Sequence, residues 1–96
     1  MKPSEALHRH REEILRIAEQ NHTLNPRVFG SVLHGKDSEG SDLDLLVEPL
    51  HDTTLMDIAR IQNMLQKLTG VTVDVLTPNA LPKSFRDQVL SEALPV

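Results

Sequence analysis

Phe29-Gly30-Ser31-Val32-Leu33-His34-Gly35, a polar loop, and then Ser41-Asp42-Leu43-Asp44-Leu45-Leu46-Val47 form the stretch that decides how this chain folds. Arg27-Val28-Phe29 is short and β-prone, and it runs straight into Gly30, so a first strand should stop there. Ser31 to His34 predict one helical turn closed by Gly35, and Lys36 to Ser41 predict a loop. Leu43 to Glu48 predict a second strand, ended by Pro49.

Working outward towards the N-terminus, Asn25-Pro26 reads as a turn. Before it, Leu7, Ile14, Leu15 and Ala18 recur at helical spacing, with Ser4 as a candidate N-cap and the helix ending near Asn21-His22. Towards the C-terminus, Leu55, Ile58, Ala59, Leu65 and Leu68 predict one helix face, with Thr53 or Thr54 at its start and Gly70 as C-cap. Val71 to Leu76 alternate as a third strand, stopped by Pro78. Leu81, Phe85, Val89 and Ala93 repeat every four residues in a closing helix. The order helix, strand, turn, strand, helix, strand, helix predicts an α/β (α+β) fold, a small mixed three-stranded sheet with flanking helices. The unit from strand 2 to strand 3 is a right-handed crossover if those strands are parallel. The short link between strands 1 and 2 leaves their relative direction open.

Ninety-six residues make one domain, 1–96, with little room for a second functional module. A large substrate would have to be gripped by a partner chain or by another copy. Fourteen acidic and ten basic residues give a net charge of −4, and the basic ones are scattered. This argues against a direct nucleic-acid binder, which needs a positive face to offset phosphate charge. With no cysteine there is neither disulfide nor thiolate metal site. Apolar runs of about four residues fall far short of the roughly 20 that span a bilayer. The charged N-terminal segment is no signal-peptide core, so a cytoplasmic location is the default expectation.

Side chains alternate across a strand, so Asp42 and Asp44 should share a face, their Cα atoms roughly 6.5 Å apart at about 3.3 Å of rise per residue. Val71, Val73 and Val75 alternate onto one side of the third strand and leave Asp74 on the other. An aspartate within a β-branched run is disfavoured, and burying its charge is costly unless it is paired or metal-bound. If strands 2 and 3 are neighbours, all three carboxylates lie on one sheet face. Three hard oxygen donors suit Mg²⁺ or Mn²⁺ and not zinc. The plainer alternatives are a solvated strand end or a turn at Ser41-Asp42, and an Asp74 paired with an arginine. Gly30 permits close backbone approach, and Ser31 brings a hydroxyl and the free N–H groups that begin a helical turn. An ordinary strand-to-helix turn would look the same.

Gly30-Ser31, ten residues, Asp42-x-Asp44 and the later Asp74 resemble the DNA polymerase β-like nucleotidyltransferase superfamily. Length and layout resemble its smallest branch, the minimal nucleotidyltransferases, along nearly the whole chain. The resemblance implies that Gly30 and Ser31, with Ser41 beside the first carboxylate, contact the nucleotide. It implies that Asp42 and Asp44 bind two metal ions, and that Asp74 ligates one of them and helps activate the attacking hydroxyl. The reaction implied is in-line transfer of a nucleoside monophosphate, with Mg²⁺ (or Mn²⁺) as cofactor and ATP as co-substrate. The implied partner is a HEPN-domain toxin, a helical RNase, in a hetero-oligomer where this chain is the antitoxin that adds AMP to a toxin tyrosine. This chain contains no tyrosine, so it cannot modify itself in that way. One departure stands out. Relatives often carry Arg before the second glycine of the turn, where this chain has His34, so a fixed positive charge is missing. His34 can donate to a phosphate or face solvent, and Lys36 is a candidate substitute.

Two further functions compete with that one. A non-catalytic binding module would neutralise its partner by occlusion, but a dead site has no reason to keep Asp74 between two valines. A small-molecule nucleotidyltransferase would need a substrate-holding domain for which 96 residues leave no room.

Overall fold

The computed structural model describes residues 1–96. Its elements in chain order are α1 (Pro3–Arg9), α2 (Arg11–Gln20), β1 (Thr23–Phe29), α3 (Gly30–Leu33), β2 (Leu43–Pro49), α4 (Leu55–Thr69) and β3 (Val73–Leu76). A 3₁₀ turn (Pro78–Ala80), α5 (Lys83–Glu92) and β4 (Leu94–Pro95) follow. The sheet order is β3-β2-β1-β4, with β2 and β3 parallel and the other two pairings antiparallel. The mixed α/β class is as the sequence predicts, but the sheet has four strands and not three. β4 is two residues long and carries no periodicity of its own. It exists because Leu94 and Pro95 lie opposite Val28 and Arg27, while the Val96 N–H donates to the Pro26 carbonyl at 3.0 Å. Pro95 has no N–H to offer, which suits an edge strand.

The N-terminal helix is broken at His10 (φ −113°, ψ 24°), dividing one predicted helix into α1 and α2. Ser4 is not the cap. Pro3 opens α1 with its φ already set for helix. The Ser4 N–H is accepted by Asp37 Oδ2 at 2.9 Å, from the loop after α3. That contact, first among several, holds the Asp37 carboxyl below its usual range. β1 starts at Thr23, ahead of the predicted Arg27, and Asn25-Pro26 is a bulge inside it. Asn25 takes φ 50°, which Asn tolerates better than most residues, and the pairing register with β2 shifts between Leu24 and Arg27.

Each face of the sheet has its own apolar layer. Val28, Leu43, Leu45, Val47, Val73 and Val75 pack against Ile14 and Ile17 of α2 and Ile61 and Leu65 of α4. On the opposite face, Phe29 and Leu46 pack against Leu81 and Val89, so α5 covers that side. The α4 stripe is rotated from its predicted phase. Leu55 is 88% exposed, whereas Ile61 and Asp57 are buried.

Asp57 is buried because it completes the start of α4. Its Oδ2 accepts the Thr54 N–H at 2.9 Å, while Thr54 Oγ1 accepts the Asp57 N–H at 3.3 Å. Arg60 Nη1 donates to Oδ1 at 2.9 Å, and His22 Nδ1 lies 3.3 Å from Oδ2. The Thr54 backbone bond, ahead of His22 and Arg60, draws the carboxyl down from 3.8 to about 2. A depressed carboxyl stabilises the fold above its unfolded value and loses that contribution as pH falls through the folded one. Asp57→Asn is therefore expected to lower the melting temperature at pH 7. The gap to wild type should close as pH drops from about 4 towards about 2, which thermal melts across that range will check.

Candidate active site

Phe29 ends β1, and Gly30 turns the chain at φ 73° into the four-residue α3. Phe29 lies directly opposite Asp44, and Asp44 directly opposite Asp74. Directly opposed residues project to the same side, so Phe29, Asp44 and Asp74 form one row across three strands. Two residues further along that face, Leu46 and Leu76 form the row that α5 covers. In the other direction stand Asp42 and Thr72, where the chains are joined by the Leu43 N–H to the Thr72 carbonyl at 2.8 Å. The carboxylates thus occupy the open end of the face whose other end is packed under α5.

Asp44 is the half-buried member, and Asp42 and Asp74 are exposed. A Cβ built on Gly30 would collide with Asp44 Oδ2 and sit 3.2 Å from Asp44 Cγ. Glycine is thus required twice, for its positive φ and for the space the carboxylate occupies. Burial first, and then the negative charges of Asp74 and Asp42, push the Asp44 carboxyl up from 3.8 to about 6. None of the three takes part in the chain's ion pairs. The alternative of an Asp74 paired with an arginine is therefore not what the fold contains.

This donor set fits a magnesium-type cation. It is all oxygen, carries uncompensated negative charge, and raises the proton affinity of its own central carboxylate. No group of three or more His, Cys, Asp or Glu side chains is gathered closely enough to enclose a metal unaided. Mg²⁺ usually takes one or two carboxylates and completes its shell with water and substrate phosphates, so an open half-site suits it better than a closed cage.

Around this centre, Ser31 is half-buried in α3. Ser41 serves the backbone nearby. Its Oγ accepts the Ser38 N–H at 3.0 Å, and its own N–H returns to the Ser38 carbonyl at 3.0 Å. These two bonds close the loop that delivers Asp42. His34 Nε2 lies 3.2 Å from Glu92 Oε2, tying the end of α3 to α5, and Lys36 is exposed. Periodicity did not reveal the His34–Glu92 contact, because it joins residues far apart in sequence.

A small mixed sheet with acidic residues beside a glycine turn is the architecture of a minimal nucleotidyltransferase. A solved structure provisionally described by that name matches with a TM-score of 0.86 and 42% identity, over 97% of this chain and 95% of its own. The chain belongs to the nucleotidyltransferase domain family, whose model matches residues 10–96. A relative from Methanocaldococcus jannaschii, provisionally named a protein adenylyltransferase, is 33% identical over 90% of this chain and 92% of its own length. Protein adenylyltransferase MntA from Thermococcus cleftensis is 32% identical over 70% of this chain and 68% of its own. A toxin–antitoxin crystal structure with AMP-PNP has the same fold, with a TM-score of 0.74 at 17% identity over 88% of this chain and 69% of its own. No helix is long and apolar enough to cross a membrane.

Proposed function

We propose that this chain is a metal-dependent protein adenylyltransferase that transfers AMP from ATP to a tyrosine of a partner toxin, and that it acts as that toxin's antitoxin. The observation that carries this reading is the row Phe29–Asp44–Asp74, with the Asp44 carboxylate lodged against Gly30 and driven up by burial and by its two acidic neighbours. The names of the relatives from Methanocaldococcus and Thermococcus support the choice of a protein acceptor. The toxin–antitoxin structures of the same fold support the pairing. A HEPN-type helical RNase is the partner the family resemblance suggests.

Asp42, Asp44 and Asp74 would hold Mg²⁺, which when bound supplies charge neutralisation for the triphosphate and its leaving group. Gly30 makes room for the Asp44 carboxylate beside the turn, and Ser31 offers its hydroxyl to the phosphates. The tyrosine oxygen attacks the α-phosphorus in line, the bond from that phosphorus to the bridging oxygen breaks, and pyrophosphate departs. Asp74, the most exposed end of the row, accepts the phenolic proton.

The test is to incubate the chain with ATP, Mg²⁺ and the protein encoded beside it, and to read intact mass and modified peptides. One added AMP on a tyrosine, absent with Asp42→Asn, is the expected result. Tight binding with no mass gain, unchanged in Asp42→Asn, would overturn the enzyme reading in favour of neutralisation by occlusion.

A further inference from the structure

The chain has two aromatic residues of the Phe, Tyr and Trp type, Phe29 and Phe85. Both line one cavity of about 280 Å³ between the β1–α3 turn and α5. Gly30 also borders it, and the Asp44 carboxylate lies against Gly30, so cavity and acidic row are contiguous. Phe29 is buried, but Phe85 is 43% exposed. Core packing does not explain that exposure, since Leu81 and Val89 already seat α5 on the sheet. Drug-sized pockets begin at roughly 300 Å³, so this one suits a single flat ring system.

Two contacts at Glu92 orient the cavity's exposed polar rim. Gln88 Nε2 donates to Glu92 Oε1 at 3.2 Å, and His34 Nε2 lies 3.2 Å from Glu92 Oε2. An ionised carboxylate only accepts, so it holds the Gln88 amide nitrogen and requires a proton on His34 Nε2. Gln88 Oε1 is left as a free acceptor.

We propose that this cavity receives the nucleobase, with Phe85 as its stacking platform and Gln88 Oε1 selecting a purine that carries its amine at C6. The proposal rests on the nucleotidyl-transfer reading above and adds the source of base selectivity. Adenine offers an amine at the position where guanine carries a carbonyl oxygen. Guanine would set its O6 against Gln88 Oε1, two acceptors face to face. Every base has a π-face, so stacking supplies affinity and the rim supplies choice.

The test uses calorimetric titration with Mg²⁺ and three probes: a non-hydrolysable ATP analogue, its GTP counterpart and inorganic tripolyphosphate. The wild type should prefer the ATP analogue by about tenfold. Phe85→Ala should weaken both nucleotide analogues about tenfold and leave tripolyphosphate unchanged. Gln88→Leu should bring the ATP-to-GTP ratio towards one, again with tripolyphosphate unchanged. Equal weakening of tripolyphosphate would assign these residues a structural role and overturn the proposal. Unchanged nucleotide affinity with a raised KM for the acceptor protein would also overturn it, giving the cavity to the acceptor ring. If tripolyphosphate and both nucleotide analogues all fail to bind the wild type, the nucleotidyl-transfer reading falls and this proposal with it. Phosphate binding without base preference overturns the proposal alone.

Discussion

Gly30→Ala should abolish measurable transfer and weaken the fold at once. Alanine at φ 73° costs roughly 1 kcal/mol or more before any contact is considered. Its methyl would then collide with Asp44 Oδ2, with Asp44 Cγ only 3.2 Å away. The Asp44 backbone cannot shift to make room, because Leu43 and Leu45 on either side are fully buried in the layer on the opposite face. The carboxylate can only swing away from the row it forms with Asp74. A displacement of about 1 Å in catalytic geometry can cost about a hundredfold, and a misplaced metal ligand should cost at least that. Gly35 and Gly40 also have positive φ, but a Cβ at either would meet nothing within 4 Å. Gly35→Ala should therefore share the backbone penalty and keep most of the activity. Rates and melting temperatures of the two variants side by side separate backbone strain from the loss of space for Asp44.

Asp44→Asn should move activity and stability in opposite directions. Transfer should fall by about three orders of magnitude, since one charged ligand in a metal site is worth several kcal/mol in the transition state and each ~1.36 kcal/mol is tenfold. The metal-free fold should gain. Asp44 titrates at about 6 in the fold against an ordinary 3.8, so the native state holds its proton more tightly than the unfolded chain does. Wild-type stability from this group therefore decreases as pH rises from about 4 to about 6, and the penalty is fully present above that. Asparagine carries no such penalty. With EDTA at about pH 7.5 the variant should be more stable by about 1 kcal/mol, a figure discounted from the full linkage value because the carboxylate is half open to solvent. Below about pH 4 the advantage should vanish. Added Mg²⁺ should raise the melting temperature of the wild type more than that of the variant. A variant less stable than wild type under the same metal-free conditions would mean that neither burial nor the neighbouring carboxylates disfavour the Asp44 charge.

Much of the site was legible because strand alternation is a local rule. Val73 and Val75 pointing to one side left Asp74 on the other, and parallel pairing of β2 with β3 then set it opposite Asp44. Gly30 was legible as a place needing close approach, but the atom that approaches is Asp44's own carboxylate, which only the β1–β2 register reveals. The phase of α4 was legible only in part: Leu65 and Ile58 face the core as expected, and the rest of the stripe does not. Leu55, Met56, Met64 and Leu68 put apolar side chains on its outer surface, and the buried position went to the capping Asp57. Asn25-Pro26 carries turn chemistry and was absorbed as a bulge, because pairing on both edges of β1 overrides local preference. Phe85 fits a four-residue apolar repeat with Leu81 and Val89 and yet stands at a cavity mouth. Spacing alone could not separate a core contact from a binding platform.

An acceptor assay depends on having the right acceptor, whereas metal-dependent nucleotide binding depends on this chain alone. The decisive measurement is therefore calorimetric titration of a non-hydrolysable ATP analogue into wild type and Asp42→Asn, each with Mg²⁺ and with EDTA. Asp42 is exposed just ahead of β2, so its replacement should leave the fold intact. Saturable binding to the wild type in Mg²⁺, lost in EDTA and lost in folded Asp42→Asn, is the expected result. Binding that persists without metal, or that Asp42→Asn leaves unchanged, would contradict the assignment of these carboxylates to a metal–nucleotide site.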